Sequence, residues 1–173
     1  VRTVLIPRVE TAEEVRSAVE AARFTYEGAP GERGVASSKA SRWGADFDGY
    51  ADREDRSTTV GVMLENRTAV DNLEEILAVP ELGFVFIGPA DLSVSLGKPL
   101  ETADPEVVAT IDEIREAGLA ADVPVGRIVN DAEKAVEAID AGYSILRIGG
   151  EVGPTRTVLG DRLARIQGQG DGS

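Results

Sequence analysis

Short apolar runs alternate with helical stripes along most of this chain. Residues 1–7 (VRTVLIP) form an apolar run that stops at proline and reads as a buried strand. Thr11 and Glu14 have capping-box spacing, and Val15, Ala18, Val19 and Ala22 then fall on one helical face. Residues 27–45 are rich in Gly, Ser and charge without a period, and read as a long loop carrying Arg33-Gly34-Val35. Phe47 and Tyr50 are expected to anchor a short helix ahead of the charged segment 52–56. Beyond it the rhythm is regular. A strand is expected at 59–64, a helix at 67–77 with Ala69, Leu73, Ile76 and Leu77 inward, and a strand at 84–87 stopped by Gly88-Pro89. Asp104 suits an N-cap with Pro105 at the first helical position, the stripe being Val108, Ile111 and Ile114 and the end Gly118. A strand at 123–128, a helix at 131–141 closed by Gly142, a strand at 144–148 and a helix at 154–166 follow. Residues 168–173 are a polar tail.

Five strands that are apolar on both faces and alternate with amphipathic helices predict an α/β protein, its parallel sheet covered by helices. A doubly wound sheet and part of a (β/α)₈ barrel both satisfy that pattern. The absence of a glycine-rich dinucleotide fingerprint after the first strand counts against the former. Residues 1–167 are expected to form a single domain, since 173 residues of 42% hydrophobic composition can bury one sizeable core.

Composition narrows the chemistry. With no cysteine and no histidine, the chain cannot form a disulfide, a zinc-thiolate site, a cysteine nucleophile or a His-dependent triad from its own residues. Carboxylates, arginines, hydroxyls and backbone amides remain. The balance of 18 basic against 31 acidic side chains, a net charge of −13, argues against nucleic acid and anionic membranes as partners. Only Lys39, Lys98 and Lys134 carry an ammonium. An acidic, lysine-poor surface suits a salt-rich, halophilic cytoplasm, where charge repulsion is screened within about 3 Å at 1 M salt. An ordinary acidic protein shares that composition. No apolar stretch approaches the roughly 18 residues of a membrane span, and no signal peptide is evident.

In parallel α/β proteins, function gathers at the carboxyl ends of the strands. Glu65 ends one strand, and Asp91 follows the next after Gly88-Pro89-Ala90. Two carboxylates on consecutive strands would overlook one mouth and suit a hard divalent cation, although an acid on a solvated rim has the same spacing. In Gly88-Pro89-Ala90-Asp91-Leu92-Ser93, glycine lets the backbone approach a ligand and proline stiffens the turn. The amides of Ala90 and Asp91 are then free to donate to a carboxylate, and Ser93 would cap the turn.

These residues carry a resemblance. Pro7-Arg8-Val9-Glu10-Thr11-Ala12-Glu13-Glu14, Arg33-Gly34-Val35, Ala40-Ser41-Arg42-Trp43 and Phe86-Ile87 running into the Gly88–Ser93 motif resemble the HpcH/HpaI aldolase/citrate lyase family. The likeness runs from Val1 to about Ile166 and implies a partial TIM barrel of about five β/α units, the family's strands 4–8. It implies a metal-dependent (class II) pyruvate aldolase, with Glu65 and Asp91 holding Mg²⁺ or Mn²⁺ (Co²⁺ also suiting the donors). Gly88, Pro89, Ala90 and Asp91 would bind substrate through the motif's amides, with Arg33 as a further contact. The implied reaction cleaves a 4-hydroxy-2-oxo acid to pyruvate and an aldehyde through a pyruvate enolate that the metal stabilises. Cytoplasmic location and a homo-oligomer are expected as well.

The departures are as informative. The family's proton-transferring His and its carbonyl-steadying Arg belong to early barrel strands, so the catalytic residues themselves stay unassigned and the chain is expected to be N-terminally incomplete. Met63 stands where the family has a polar Gln, two residues before the metal Glu. Gly149-Gly150 resembles a barrel phosphate-binding position, with a simple turn as the alternative. An acyl-CoA lyase of the citrate lyase beta type and a non-catalytic metal- and carboxylate-binding fragment remain open beside the aldolase.

Overall fold

The computed structural model describes residues 2–25 and 31–168. Five strands, β1 (Thr3–Ile6), β2 (Thr59–Leu64), β3 (Leu82–Ile87), β4 (Val125–Val129) and β5 (Ile145–Ile148), alternate with helices. α1 (Ala12–Ala22) and α2 (Tyr50–Ser57) separate β1 from β2, and α3 (Arg67–Asp71) and α4 (Leu73–Leu77) separate β2 from β3. α5 (Pro89–Ser95) and α6 (Pro105–Ala120) lead to β4, α7 (Ala132–Asp140) to β5, and α8 (Val152–Gly168) follows.

All pairings are parallel and the strand order is β1-β2-β3-β4-β5. A doubly wound sheet must reverse direction at a switch point; this sheet never does, so it is a section of barrel wall. Sheet and helices enclose the core. Val62, Leu64, Val85, Ile87 and Val125 pack against Val15, Leu73, Ile76 and Ile114 of the helical layer. On the other face, Phe84 and Phe86 fill the space left by glycines of the flanking strands. A Cβ on Gly61 would lie 2.2 Å from the Phe84 ring, and one on Gly126 would lie 2.5 Å from the Phe86 ring.

Several elements differ from the sequence pattern for identifiable reasons. β1 is half exposed rather than buried, because it forms one edge of the described sheet; Leu5 is 38% exposed. β5 is the other edge and is equally open. The charged segment 52–56 is itself the body of α2, whose Tyr50 is buried against Phe24 and Phe47, with ring centroids 5.8 and 5.9 Å away. The single helix expected at 67–77 breaks at Asn72, whose Nδ2 donates to the Glu10 carbonyl at 2.9 Å. α6 buries Val107, with Val108 exposed, and it runs past Gly118, which packs against Val125 within the helix. α8 starts ahead of Pro154, which a first helical turn tolerates. Gly168 closes α8, and residues 27–30 of the expected loop and 169–173 of the expected tail lie outside the described residues. Among the described residues, no helix is long and apolar enough to cross a membrane.

Candidate active site at the strand rim

Parallel strands in sequential order bring the loops after β1, β2 and β3 to one rim. Glu65 comes directly after β2 and is 4% exposed. A buried carboxylate needs donors; the Arg8 N–H supplies one, donating to Oε1 at 2.8 Å. Arg8 reaches this position in a left-handed conformation, φ 56°, which costs a non-glycine residue on the order of 1 kcal/mol. Asn66 locks the same loop twice. Its Oδ1 accepts from the Ala69 N–H at 2.8 Å and caps α3, while its Nδ2 donates to the Val9 carbonyl at 3.2 Å. The loops after β1 and β2 therefore hold each other in place.

β3 enters the site through Gly88, whose N–H donates to the Leu64 carbonyl at 3.2 Å. Only hydrogen fits here. A Cβ on Gly88 would lie 2.5 Å from Glu65 Oε2, 2.9 Å from Glu65 Cβ and 3.1 Å from Met63 Cε. Pro89 opens α5, and Asp91 stands exposed in its first turn. No side chain caps α5, so nothing on Gly88 competes with a ligand for those amides. Ser93 is not a cap. Fully buried, it donates to the Ala90 carbonyl at 2.7 Å and accepts from the Leu100 N–H at 3.1 Å, tying the following loop to α5.

Glu65 and Asp91 line a common cavity of about 230 Å³ with Arg8, Glu10, Asn66 and Ser95 among its walls. A larger cavity of about 710 Å³ lies among α3, α4 and α6 on the outer helical layer. Barrels place chemistry at strand ends rather than between outer helices, so the smaller cavity is the candidate. Among the described residues, no three acidic, His or Cys side chains gather closely enough to enclose a metal. Two carboxylates still fit a hard divalent cation that completes its octahedron with waters and ligand oxygens, as Mg²⁺ and Mn²⁺ do.

The structure thus brings Glu65, Gly88, Pro89, Ala90 and Asp91 to one rim, but it does not bring Arg33 to them. The Arg33 guanidinium donates to Thr58 Oγ1 at 3.2 Å, pairs with Glu54 at 3.6 Å and lies 4.6 Å from the Phe24 ring centroid. Thr58 precedes β2 and Glu65 follows it, so Arg33 sits at the opposite end of that strand. Arg42 is exposed beside Asp46 at 4.0 Å. Gly149 is a left-handed turn residue, φ 59°, with its N–H on the Val129 carbonyl at 2.8 Å. Two rim residues were missed from sequence. Asn66 follows Glu65 at the start of a helix, an N-cap signal; Arg8, at the end of an apolar run, gave no signal beyond its position.

Known proteins match this chain in sequence and in fold. The 2-keto-3-deoxy-L-rhamnonate aldolase of Escherichia coli K12 is 38% identical over 172 residues, covering 96% of this chain and 61% of the relative. The chain therefore spans about three fifths of the length of such curated relatives. A solved HpcH/HpaI aldolase/citrate lyase family protein from Burkholderia cenocepacia J2315 superposes with a TM-score of 0.87 at 30% identity, over 96% of this chain and 65% of that one. The HpcH/HpaI aldolase from Desulfitobacterium hafniense DCB-2 gives 0.82 at 26% identity, over 96% and 64%. Residues 1–156 match the family "HpcH/HpaI aldolase/citrate lyase" as a whole. With nine tenths of its length matched and its five-stranded barrel wall superposing on solved members, the chain belongs to the HpcH/HpaI aldolase/citrate lyase family.

Proposed function

We propose that this chain carries the metal- and carboxylate-binding side of a carbon–carbon lyase that cleaves a 4-hydroxy-2-oxo acid to pyruvate and an aldehyde. One observation carries the reading: Glu65 and Asp91, on the ends of adjacent strands, line the same cavity beside the uncapped first turn of α5. Glu65, oriented by the Arg8 amide, and Asp91 would hold a divalent ion, Mg²⁺ or Mn²⁺. When bound, that ion supplies Lewis-acid stabilisation of negative charge developing on a 2-oxo acid. The remaining work belongs to the chain. The amides of Ala90 and Asp91 orient the substrate carboxylate, Gly88 lets the ligand approach the main chain, and Met63 Cε packs beside Gly88, 3.1 Å from where a Cβ there would lie. The chain has no His to move the methyl proton, so that step falls to a solvent base or to a group outside these residues. The two unpaired edges of the described sheet favour assembly with further β/α units or copies. The acidic surface fits a salt-rich cytoplasm.

Pyruvate methyl-proton exchange, followed by NMR in deuterated high-salt buffer, tests the reading. Exchange should require Mg²⁺ or Mn²⁺ and vanish in Asp91→Ala. Absence of exchange with metal and pyruvate both bound would replace the lyase by a non-catalytic binding fragment.

A further inference from the structure

Among the described residues, Arg8 is the one cation lining the rim cavity, whose other charged walls are Glu10, Glu65 and Asp91. Arg8 is exposed, and among the described residues its guanidinium has no carboxylate within 4.0 Å and no hydrogen-bond acceptor. The other charged group beside it on the same loop, Glu10, does not pair with it. The backbone at Arg8 is held in the left-handed region, φ 56°, where an arginine is strained and glycine would be at ease. Strain of this kind persists where the surroundings enforce it, and it clusters at ligand sites. Here the conformation turns the Arg8 N–H onto Glu65 and sets its side chain at the cavity wall.

Strand order fixes the rest. Arg8 follows β1, Glu65 follows β2 and Asp91 lies beyond β3, so Glu65 is the middle of the three. At about 4.8 Å per strand, the ends of β1 and β3 are roughly 10 Å apart. A ligand anchored by its 2-oxo acid end between Glu65 and α5 has Arg8 on its far side, within reach of a chain of several carbons. A planar guanidinium with free donors binds a carboxylate in bidentate fashion.

We propose that Arg8 is a specificity-determining residue, selecting 2-oxo acids that carry a second anionic group at their distal end. This rests on the 2-oxo acid site proposed above. Titration calorimetry with 2-oxoadipate and with 2-oxohexanoate, in Mg²⁺ buffer at the salt that keeps the full chain folded, separates the two. These ligands share the chelating end and chain length, and differ in the distal carboxylate. The wild type should prefer 2-oxoadipate by about tenfold, the scale of one charge-assisted hydrogen bond at an exposed site. Arg8→Met should erase the preference, bringing the two ligands to equal affinity, and Arg8→Lys should keep part of it. An equal melting temperature shows that each variant is folded. A wild type without preference, or an Arg8→Met variant that keeps it, overturns the inference. A wild type that binds neither ligand overturns the underlying 2-oxo acid site and this inference with it.

Discussion

Replacing Gly88 with alanine isolates the close approach on which the site depends. Gly88 has φ −103°, outside the left-handed region, so the handedness of its backbone does not itself demand glycine. The cost is steric. The new Cβ would lie 2.5 Å from Glu65 Oε2 and 2.9 Å from Glu65 Cβ, well inside van der Waals contact. The carboxylate could swing away, but Glu65 Cβ sits beside its own main chain, so β2 and β3 must separate or the Glu65 rotamer must change. Overpacking of this kind costs about 1–3 kcal/mol, from which alanine's lower unfolded-state entropy removes about 0.4–1. The net loss is about 1–2 kcal/mol, or a fall of about 2–8 °C in Tm for a chain of this size. Glu65 would also leave its place, so divalent-metal affinity should fall at least tenfold, about 1.4 kcal/mol. Gly34→Ala is the matched control, because nothing lies within 4 Å of a Cβ there and no positive φ is involved. Thermal unfolding with and without Mn²⁺ measures both effects. A Gly88→Ala variant with unchanged Tm and unchanged metal-induced shift would refute the close approach.

Other consequences are open to simple measurement. Ile114→Ala should cost about 2–5 kcal/mol in denaturant unfolding, because Ile114 is fully buried, whereas Val108→Ala on the exposed face should stay within about 0.5; equal losses would place the helix the other way round. Tyr143 is 4% exposed, and its hydroxyl has no hydrogen-bond partner among the described residues. Tyr143→Phe should therefore match or exceed wild-type stability, and a clear loss would reveal a partner. Burial raises the Tyr143 pKa, so its folded form resists deprotonation; stability should fall as pH climbs above about 10, and less so in the Phe variant. Asp104 caps α6, and the Glu106 N–H, aided by Lys98, holds its pKa below the usual value. Its contribution is present above about pH 4 and is lost as pH falls through the lowered folded value. The gap in Tm between wild type and Asp104→Asn should close on acidification, and a gap independent of pH would contradict this.

The parts of the fold that announce themselves in sequence are those governed by local rules. The capping box at Thr11 and Glu14 and the Asp104-Pro105 start of α6 each satisfy helix ends with neighbouring residues. Apolar runs gave the central strands for the same reason. An apolar run does not say whether a partner strand lies beside it, so the exposure of β1 and β5 was illegible. Of the stripe expected on α6, Ile111 and Ile114 face the core, and only Val108 was misplaced, its neighbour Val107 being the buried one. Glu65 and Asp91 were legible because each follows a strand, and strand ends share a rim. Arg33 was misplaced because a long loop does not reveal which end of the barrel its residues reach. Arg8 depends on a single left-handed residue, a tertiary constraint with no local signature.

Glu65 and Asp91 are proposed to hold one divalent metal ion jointly at the strand rim. Electron paramagnetic resonance titration of Mn²⁺ into the wild type, Glu65→Gln and Asp91→Asn tests it directly, with oxalate added as a 2-oxo acid mimic. The expected result is one bound Mn²⁺ per wild-type chain, a spectrum perturbed by oxalate, and loss of binding in each variant at unchanged fold. Mn²⁺ bound equally well by both variants would contradict it.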